Sequence, residues 1–116
     1  MAKELSTSGL THNSISTGTV IKGNISASSD IRIDGTLEGD LDCRGKLILG
    51  EKGVITGNVT AVNAEIMGSV TGNITAEETL VLKATSLLTG DIEVSSLVIE
   101  PNARLNGKCS MRSFSR

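Results

Sequence analysis

Two cysteines, one histidine and several groups of acids are the residues of this 116-residue chain whose types suit chemistry. A thiol can be a nucleophile, a metal ligand or half of a disulfide, and each role needs a partner close by. Cys43 and Cys109 have no histidine beside them, so no zinc spacing is formed. His12, the single histidine, stands in a Ser/Thr-rich stretch before any regular pattern begins and reads as a solvated residue rather than a general base. Asp30, Asp34, Asp40 and Asp42 lack the spacing of a calcium loop, and the glycine-rich nonapeptide of calcium-binding β-rolls is absent. Gly35 and Gly39, or Gly50 and Gly53, are not followed by the Gly-Lys-Ser/Thr of a phosphate loop. Glu77 and Glu78 fall between strand-like segments, where a solvated corner explains them. No triad can be assembled, so the sequence predicts no catalytic, cofactor-binding or metal-binding residue, and no enzyme.

The composition narrows the architecture that holds these residues. Apolar residues make up 38%, yet there is no Trp or Tyr and a single aromatic, Phe114, against 13 glycines and one proline. Without large rings the core must be narrow and filled by Ile, Leu and Val, and frequent glycines fit closely spaced turns. Net charge is −2, unevenly placed: residues 30–100 hold 12 acids and 5 bases, while residues 101–116 hold Arg104, Lys108, Arg112 and Arg116 and no acid. An acidic body without stacking aromatics excludes a nucleic-acid grip along its length. No apolar run reaches the roughly 18 residues of a membrane span, and Met1 to Thr17 has no signal-peptide core, so an unsecreted, cytoplasmic protein is expected.

A repeat organises the chain. Gly, then Asn or Asp, then an aliphatic recurs as Gly23-Asn24-Ile25, Gly39-Asp40-Leu41, Gly57-Asn58-Val59, Gly72-Asn73-Ile74 and Gly90-Asp91-Ile92, with a degenerate sixth copy at Gly107-Lys108-Cys109. Aliphatics stand two residues before each glycine (Ile21, Leu37, Ile55, Val70, Leu88, Leu105) and two after it. Farther along each unit comes an alternating pair: Ile31 and Ile33, Leu47 and Leu49, Ala64 and Ile66, Leu80 and Leu82, Leu97 and Ile99. Alternation with period two predicts strands, and no i, i+3, i+4 pattern persists.

Strands this short are not hairpins; they coil. The spacing predicts a parallel β-solenoid of about six coils, each strand pairing with its equivalent above and below, and a rod roughly 29 Å long at ~4.8 Å per coil. The sequence divides into a flexible N-terminal tail (residues 1–17), the β-helix domain (18–111) and a basic C-terminal tail (112–116). The connections vary in length: those after Ile33 (Asp34-Gly35) and Ile66 are short, and the second, fourth and fifth, such as that from Leu49 to Ile55, are two residues longer. The Asn and Asp after the repeat glycines are expected to stack as a column, their side-chain amides bonding between coils. Cys43 and Cys109 fall four coils apart, about 19 Å along the rod, beyond the ~7 Å that a disulfide bridges. Both are expected to be buried and reduced.

The run Ile31-Arg32-Ile33-Asp34-Gly35-Thr36-Leu37-Glu38-Gly39-Asp40-Leu41, then Lys46-Leu47-Ile48-Leu49-Gly50-Glu51-Lys52-Gly53, Leu80-Val81-Leu82-Lys83-Ala84-Thr85, Leu97-Val98-Ile99-Glu100 and Gly107-Lys108-Cys109-Ser110-Met111 resembles the bactofilins, bacterial cytoskeletal proteins. The resemblance covers roughly residues 18–111. It implies an all-β, right-handed, single-stranded parallel β-helix of triangular cross-section. It also implies nucleotide-independent filaments assembled through both ends of the rod, without cofactor, small-molecule substrate or nucleic acid. Such filaments scaffold cell-shape or envelope-synthesis machinery, whose proteins are the implied clients, at the inner face of the cell membrane.

An uncapped solenoid exposes strand edges that recruit further edges. Position then marks the polymerisation interface: Val20, Ile21 and Ile25 at one end, and Leu105, Cys109, Met111 and Phe114 at the other. Phe114 either caps the core or inserts at a junction. Family tails often touch membrane, but Met1 to Leu10 has one lysine and no aromatic, so no anchor is evident and the stretch reads as a linker. The rival readings are a left-handed β-helix acyltransferase-like protein and a capped, monomeric binding solenoid. Ile25, Ile31, Leu37, Cys43, Leu49 and Ile55 fall six apart as in hexapeptide repeats, but that frame fails at Asn73 and no histidine lies within a coil.

Overall fold

The structure, a computed structural model, describes residues 13–112. Fourteen strands run β1 (Asn13–Ile15), β2 (Val20–Lys22), β3 (Ile25–Ala27), β4 (Ile31–Ile33), β5 (Thr36–Glu38), β6 (Leu41–Leu49), β7 (Val54–Thr56), β8 (Val59–Ile66), β9 (Ser69–Thr71), β10 (Ile74–Leu82), β11 (Leu87–Thr89), β12 (Ile92–Ile99), β13 (Arg104–Asn106) and β14 (Cys109–Met111). Among the described residues every strand pairing is parallel and joins a strand to its equivalent one coil away, as in Ile31↔Leu47 and Leu37↔Ile55. Short strands thereby gain the ladder hydrogen bonds that no hairpin could give them, and the chain forms a β-solenoid of six turns.

Each coil crosses three walls in order. The first wall holds β1, β4 and the second halves of β6, β8, β10 and β12; the second holds β2, β5, β7, β9, β11 and β13; the third holds β3, the first halves of the long strands and β14. The long strands turn the corner from third to first wall without ending, through a register irregularity such as that between Cys43 and Lys46. Two segments expected to be separate strands are therefore one bent strand in the middle coils. The first strand, Asn13–Ile15, also starts inside the stretch read as a tail, with Asn13 taking the place that Ile31 holds one coil up.

Inward side chains stack in columns, and the sequence pattern shows why. Ile21, Leu37, Ile55, Val70, Leu88 and Leu105 line the second wall; Ile33, Leu49, Ile66 and Leu82 line the first, all at 0% exposure. A further column, Ala27, Cys43, Ala61, Ala76 and Val94, lines the third wall and was not read from the sequence. These small side chains let the corner fold close to the axis, which keeps the core narrow enough to fill without rings.

The corner between second and third walls needs glycine. Gly57 has φ 148°, and a Cβ on it would fall onto the carbonyl oxygen of Gly39 one coil below. The same overlap recurs up this column, so its spacing fixes the stack. The longer corners between first and second walls close on local turns, Gly53 N–H donating to Gly50 (2.9 Å) and Ser86 N–H to Lys83 (2.9 Å).

Candidate assembly surfaces

The ends of the solenoid differ from its walls because the repeat stops there. On the first wall the last strand segment, residues 96–99, pairs only with β10 below it, since β14 covers only Ile92–Val94 of β12. Ile99 continues the column of fully buried Ile33, Leu49, Ile66 and Leu82, yet it is 47% exposed. Nothing in its own strand explains that exposure; among the described residues no strand pairs above this segment. Leu97 and Leu105 are half-buried for the same reason, and Met111 is 55% exposed.

The opposite end presents β1, β2 and β3, each paired on one side among the described residues. Ile15, Ile21 and Ile25 face the core there but remain partly exposed, because no coil of the described residues lies beneath them. Among the described residues both ends thus combine a ring of apolar side chains with strand edges that have no neighbouring strand, the kind of edge that another strand can pair with.

Five of the residues expected at the ends are there: Ile21 and Ile25 at one, Leu105, Cys109 and Met111 at the other. Val20 is in the terminal coil, but the alternation of β2 places it on the outer side of the second wall with Thr36 and Val54, at 56% exposure. Phe114 and His12 lie outside the described residues. Sequence reasoning passed over Ile15, Leu97 and Ile99. Leu97 and Ile99 had been recognised as a column pair, and the signal missed was that their wall has no later copy.

Cys109 departs from the expected burial. It is exposed, its thiol 3.6 Å from Met111 Sδ, because it belongs to the last strand of the third wall. Cys43, four coils below, is buried; its thiol donates to Ser29 O (3.4 Å) and accepts from Gly45 N–H (3.4 Å). Burial pushes its thiol pKa up, and Asp30 and Asp42 add to the effect. Both thiols are free.

The Asn/Asp column does bond between coils, through a different pairing from the expected amide stack. Each side-chain oxygen accepts from the backbone N–H one coil later: Asp40 N–H to Asn24 Oδ1 (2.9 Å), Asn58 to Asp40 (2.9 Å), Asn73 to Asn58 (3.1 Å), Asp91 to Asn73 (3.0 Å) and Lys108 to Asp91 (3.1 Å). An acid serves as well as an amide, because only an acceptor is needed. Lys108 has no acceptor on its side chain and ends the ladder. Along the first wall, Glu65 bridges Lys46 (3.4 Å) and Lys83 (3.9 Å), and Lys83 meets Glu100 (3.2 Å).

Among the described residues, no group of three or more His, Cys, Asp or Glu side chains is placed to hold a metal, and no helix is long and apolar enough to cross a membrane. The grooves on the walls are shallow and lined by side chains such as Asn24, Asp40 and Thr60, without a nucleophile and base in contact.

Comparison with known proteins places the chain among solenoids of one family. A family model described as "Bactofilin: Polymer-forming cytoskeletal" matches residues 13–110. Bactofilin BacP of Myxococcus xanthus is 33% identical over 111 residues, covering 95% of this chain and 46% of BacP, so the chain spans about half of that relative's length. Bactofilin BacO of the same organism is 32% identical over 97 residues, covering 84% of this chain and 77% of BacO. Among solved structures, the Thermus thermophilus bactofilin reconstructed by cryo-EM as double helical filaments has a TM-score of 0.81 at 28% identity, covering 86% of this chain and 99% of that one. The cytoskeletal bactofilin BacA, determined by solid-state NMR, has a TM-score of 0.77 at 32% identity, covering 91% and 99% respectively.

Proposed function

The chain belongs to the bactofilin family of polymer-forming cytoskeletal proteins, which are not enzymes, and on that premise we propose that it stacks end to end through both ends of its solenoid into filaments, without a nucleotide. The observation that carries this is the exposure of Ile99, 47% at the end of a column whose four preceding members are completely buried. A second subunit restores that burial and pairs the strand edges in one step. The interface consists of Ile15, Ile21 and Ile25 at one end and Leu97, Ile99, Leu105, Cys109 and Met111 at the other, with Phe114 adjoining the latter in sequence.

Both end contacts are short-range and apolar, so assembly follows from edge pairing and burial rather than from a bound ligand. The Thermus thermophilus relative winds into double helical filaments, and paired filaments are the assembled form proposed here as well. A filament of this kind is a scaffold: it supplies long repetitive walls on which cell-shape or envelope-synthesis proteins gather in the cytoplasm, at the inner face of the membrane.

The deciding experiment is negative-stain electron microscopy of the purified chain without nucleotide, with sedimentation of the same sample. Filaments that pellet are expected. Leu105→Arg places a charge in the end ring; it is expected to abolish pelleting and leave the β-sheet circular dichroism intact. A monodisperse species for the unaltered chain across salt and protein concentration would overturn the reading and favour a capped solenoid.

A further inference from the structure

Filaments that lie side by side need a wall as well as ends, and the three walls differ in charge. Between Lys46 and Val94 the charged residues are Lys46, Glu51, Lys52, Glu65, Glu77, Glu78, Lys83, Asp91 and Glu93. All of them fall on the first wall, the third wall or the corners; β7, β9 and β11 carry none. The outward positions of these three strands form two registered columns on the second wall. One is Val54, Ser69 and Leu87; the other is Thr56, Thr71 and Thr89. Val54 and the three threonines are exposed. Lys22, Glu38 and Arg104 stand only at the extremities of the same wall.

We propose, on the end-to-end reading above, that the uncharged outer face of β7, β9 and β11 is the surface along which a second filament of this same chain lies. Two features select that occupant. First, the acid excess sits on the third wall and its corner, with Asp42, Glu93, Asp30, Glu77 and Glu78, so two copies approaching through that wall bring like charge together. The first wall carries the ion pairs Lys46–Glu65 and Lys83–Glu100, whose burial costs desolvation, while the middle of the second wall brings neither cost. Second, end-to-end stacking repeats the face at a fixed interval along the filament. A partner with the same interval, another filament of this chain, meets every copy of it in register.

The face is small. Three coils at ~4.8 Å and strands of three residues at ~3.3 Å per residue give on the order of 140 Å² per subunit. A stable interface between two single proteins buries about 800 Å² on each. One subunit therefore does not hold another sideways; a row of them does, because each contact after the first is made within an already joined pair of filaments. Lateral pairing then depends on prior stacking, and the order of assembly is set by area alone.

The test uses the full chain and reads filament width and length by negative-stain electron microscopy. Thr71→Glu puts an acid in the middle of the face, and Thr60→Glu puts the same acid on the exposed outer side of the third wall, one strand earlier in the chain. Thr71→Glu is expected to give single-width filaments that still pellet, and Thr60→Glu to keep paired ones. Thr56→Lys, of opposite charge, should also separate the pairs, and circular dichroism confirms that each variant folds. Pairs that persist with Thr71→Glu and Thr56→Lys overturn the proposal, as do pairs lost equally with Thr60→Glu. Single-width filaments from the unaltered chain overturn it while leaving end-to-end stacking intact. Absence of filaments from the unaltered chain overturns the stacking reading itself.

Discussion

The middle coils and the terminal coils of this solenoid are written in the same repeat, and they behave as different materials. Ile33, Leu49, Ile66 and Leu82 are each sealed by a coil above and a coil below and have no exposure. Ile15 and Ile99, in the same column, have a neighbour on one side only among the described residues; Ile15 is partly buried and Ile99 is 47% exposed. The side chains differ little. What differs is the number of neighbouring coils, so in a one-dimensional array stability belongs to the middle and association to the ends. Substitutions that pair a middle residue with its terminal equivalent separate the two roles.

The largest contrast is expected in the glycine column. A Cβ on Gly57 meets the Gly39 carbonyl and is held at φ 148°; a Cβ on Gly23, at φ 131°, has nothing within 4 Å. Gly57→Ala combines backbone strain with overpacking against a carbonyl that cannot move without shifting a coil, a loss of about 2–6 kcal/mol. Gly23→Ala retains only the strain, about 1–3 kcal/mol. Urea unfolding followed by circular dichroism measures both, and equal losses would break the distinction between middle and end.

The next contrast concerns the apolar column. Ile66→Ala removes a fully buried side chain, at a cost of about 2–5 kcal/mol. Ile99→Ala removes one that water already reaches, and should cost less than about 1 kcal/mol in single subunits, for which a Leu105→Arg background serves. Without that background Ile99→Ala is expected to weaken pelleting. Ile66→Ala should change pelleting only as far as it unfolds the subunit.

Smaller effects are expected along the Asn/Asp ladder. Asn58→Ala leaves the exposed Asn73 N–H to water, and about 1 kcal/mol of stability is lost. Lys108→Ala removes no acceptor from the ladder, since Lys108 takes part only through its backbone N–H, and its stability should not change measurably.

How much of this was legible before the structure follows from where neighbours matter. The glycines, the aliphatics two residues either side and the alternating pairs are local signals, and from them the parallel solenoid and its six coils could be read. Three features depend on contacts between coils and were missed. The alanine column Ala61 and Ala76 carries no hydrophobic emphasis of its own, and its burial comes from the tight corner between third and first walls. β1 begins with Asn13, a polar residue in an apolar column, although Ile15 stands as far before Ile21 as Leu49 stands before Ile55. Val20 reads as an end residue from its position, but its parity turns it outward to the second wall. Of the end surfaces, Ile21, Ile25, Leu105, Cys109 and Met111 were read from position; Leu97 and Ile99 needed the knowledge that the walls stop at different points in the last coil.

The two cysteines give the mildest version of the same contrast, and one that leaves the protein unaltered. Cys43 and Cys109 occupy the same wall four coils apart, one buried and one exposed. In single subunits at neutral pH, a thiol reagent is expected to label Cys109 at once and Cys43 only when the chain unfolds. Burial raises the Cys43 pKa in the folded state, so the neutral thiol favours folding. That contribution is complete below the ordinary thiol range and falls as pH rises through it toward the raised folded value, because the unfolded chain loses its proton first. Release of Cys43 should therefore ease at alkaline pH, while Cys109 is labelled freely throughout. In filaments Cys109 should become protected too, because the subunit stacked on the last coil supplies the neighbour that this column lacks. Equal labelling of Cys109 in pelleted and unpelleted protein would place the junction elsewhere than on the last coil of the third wall.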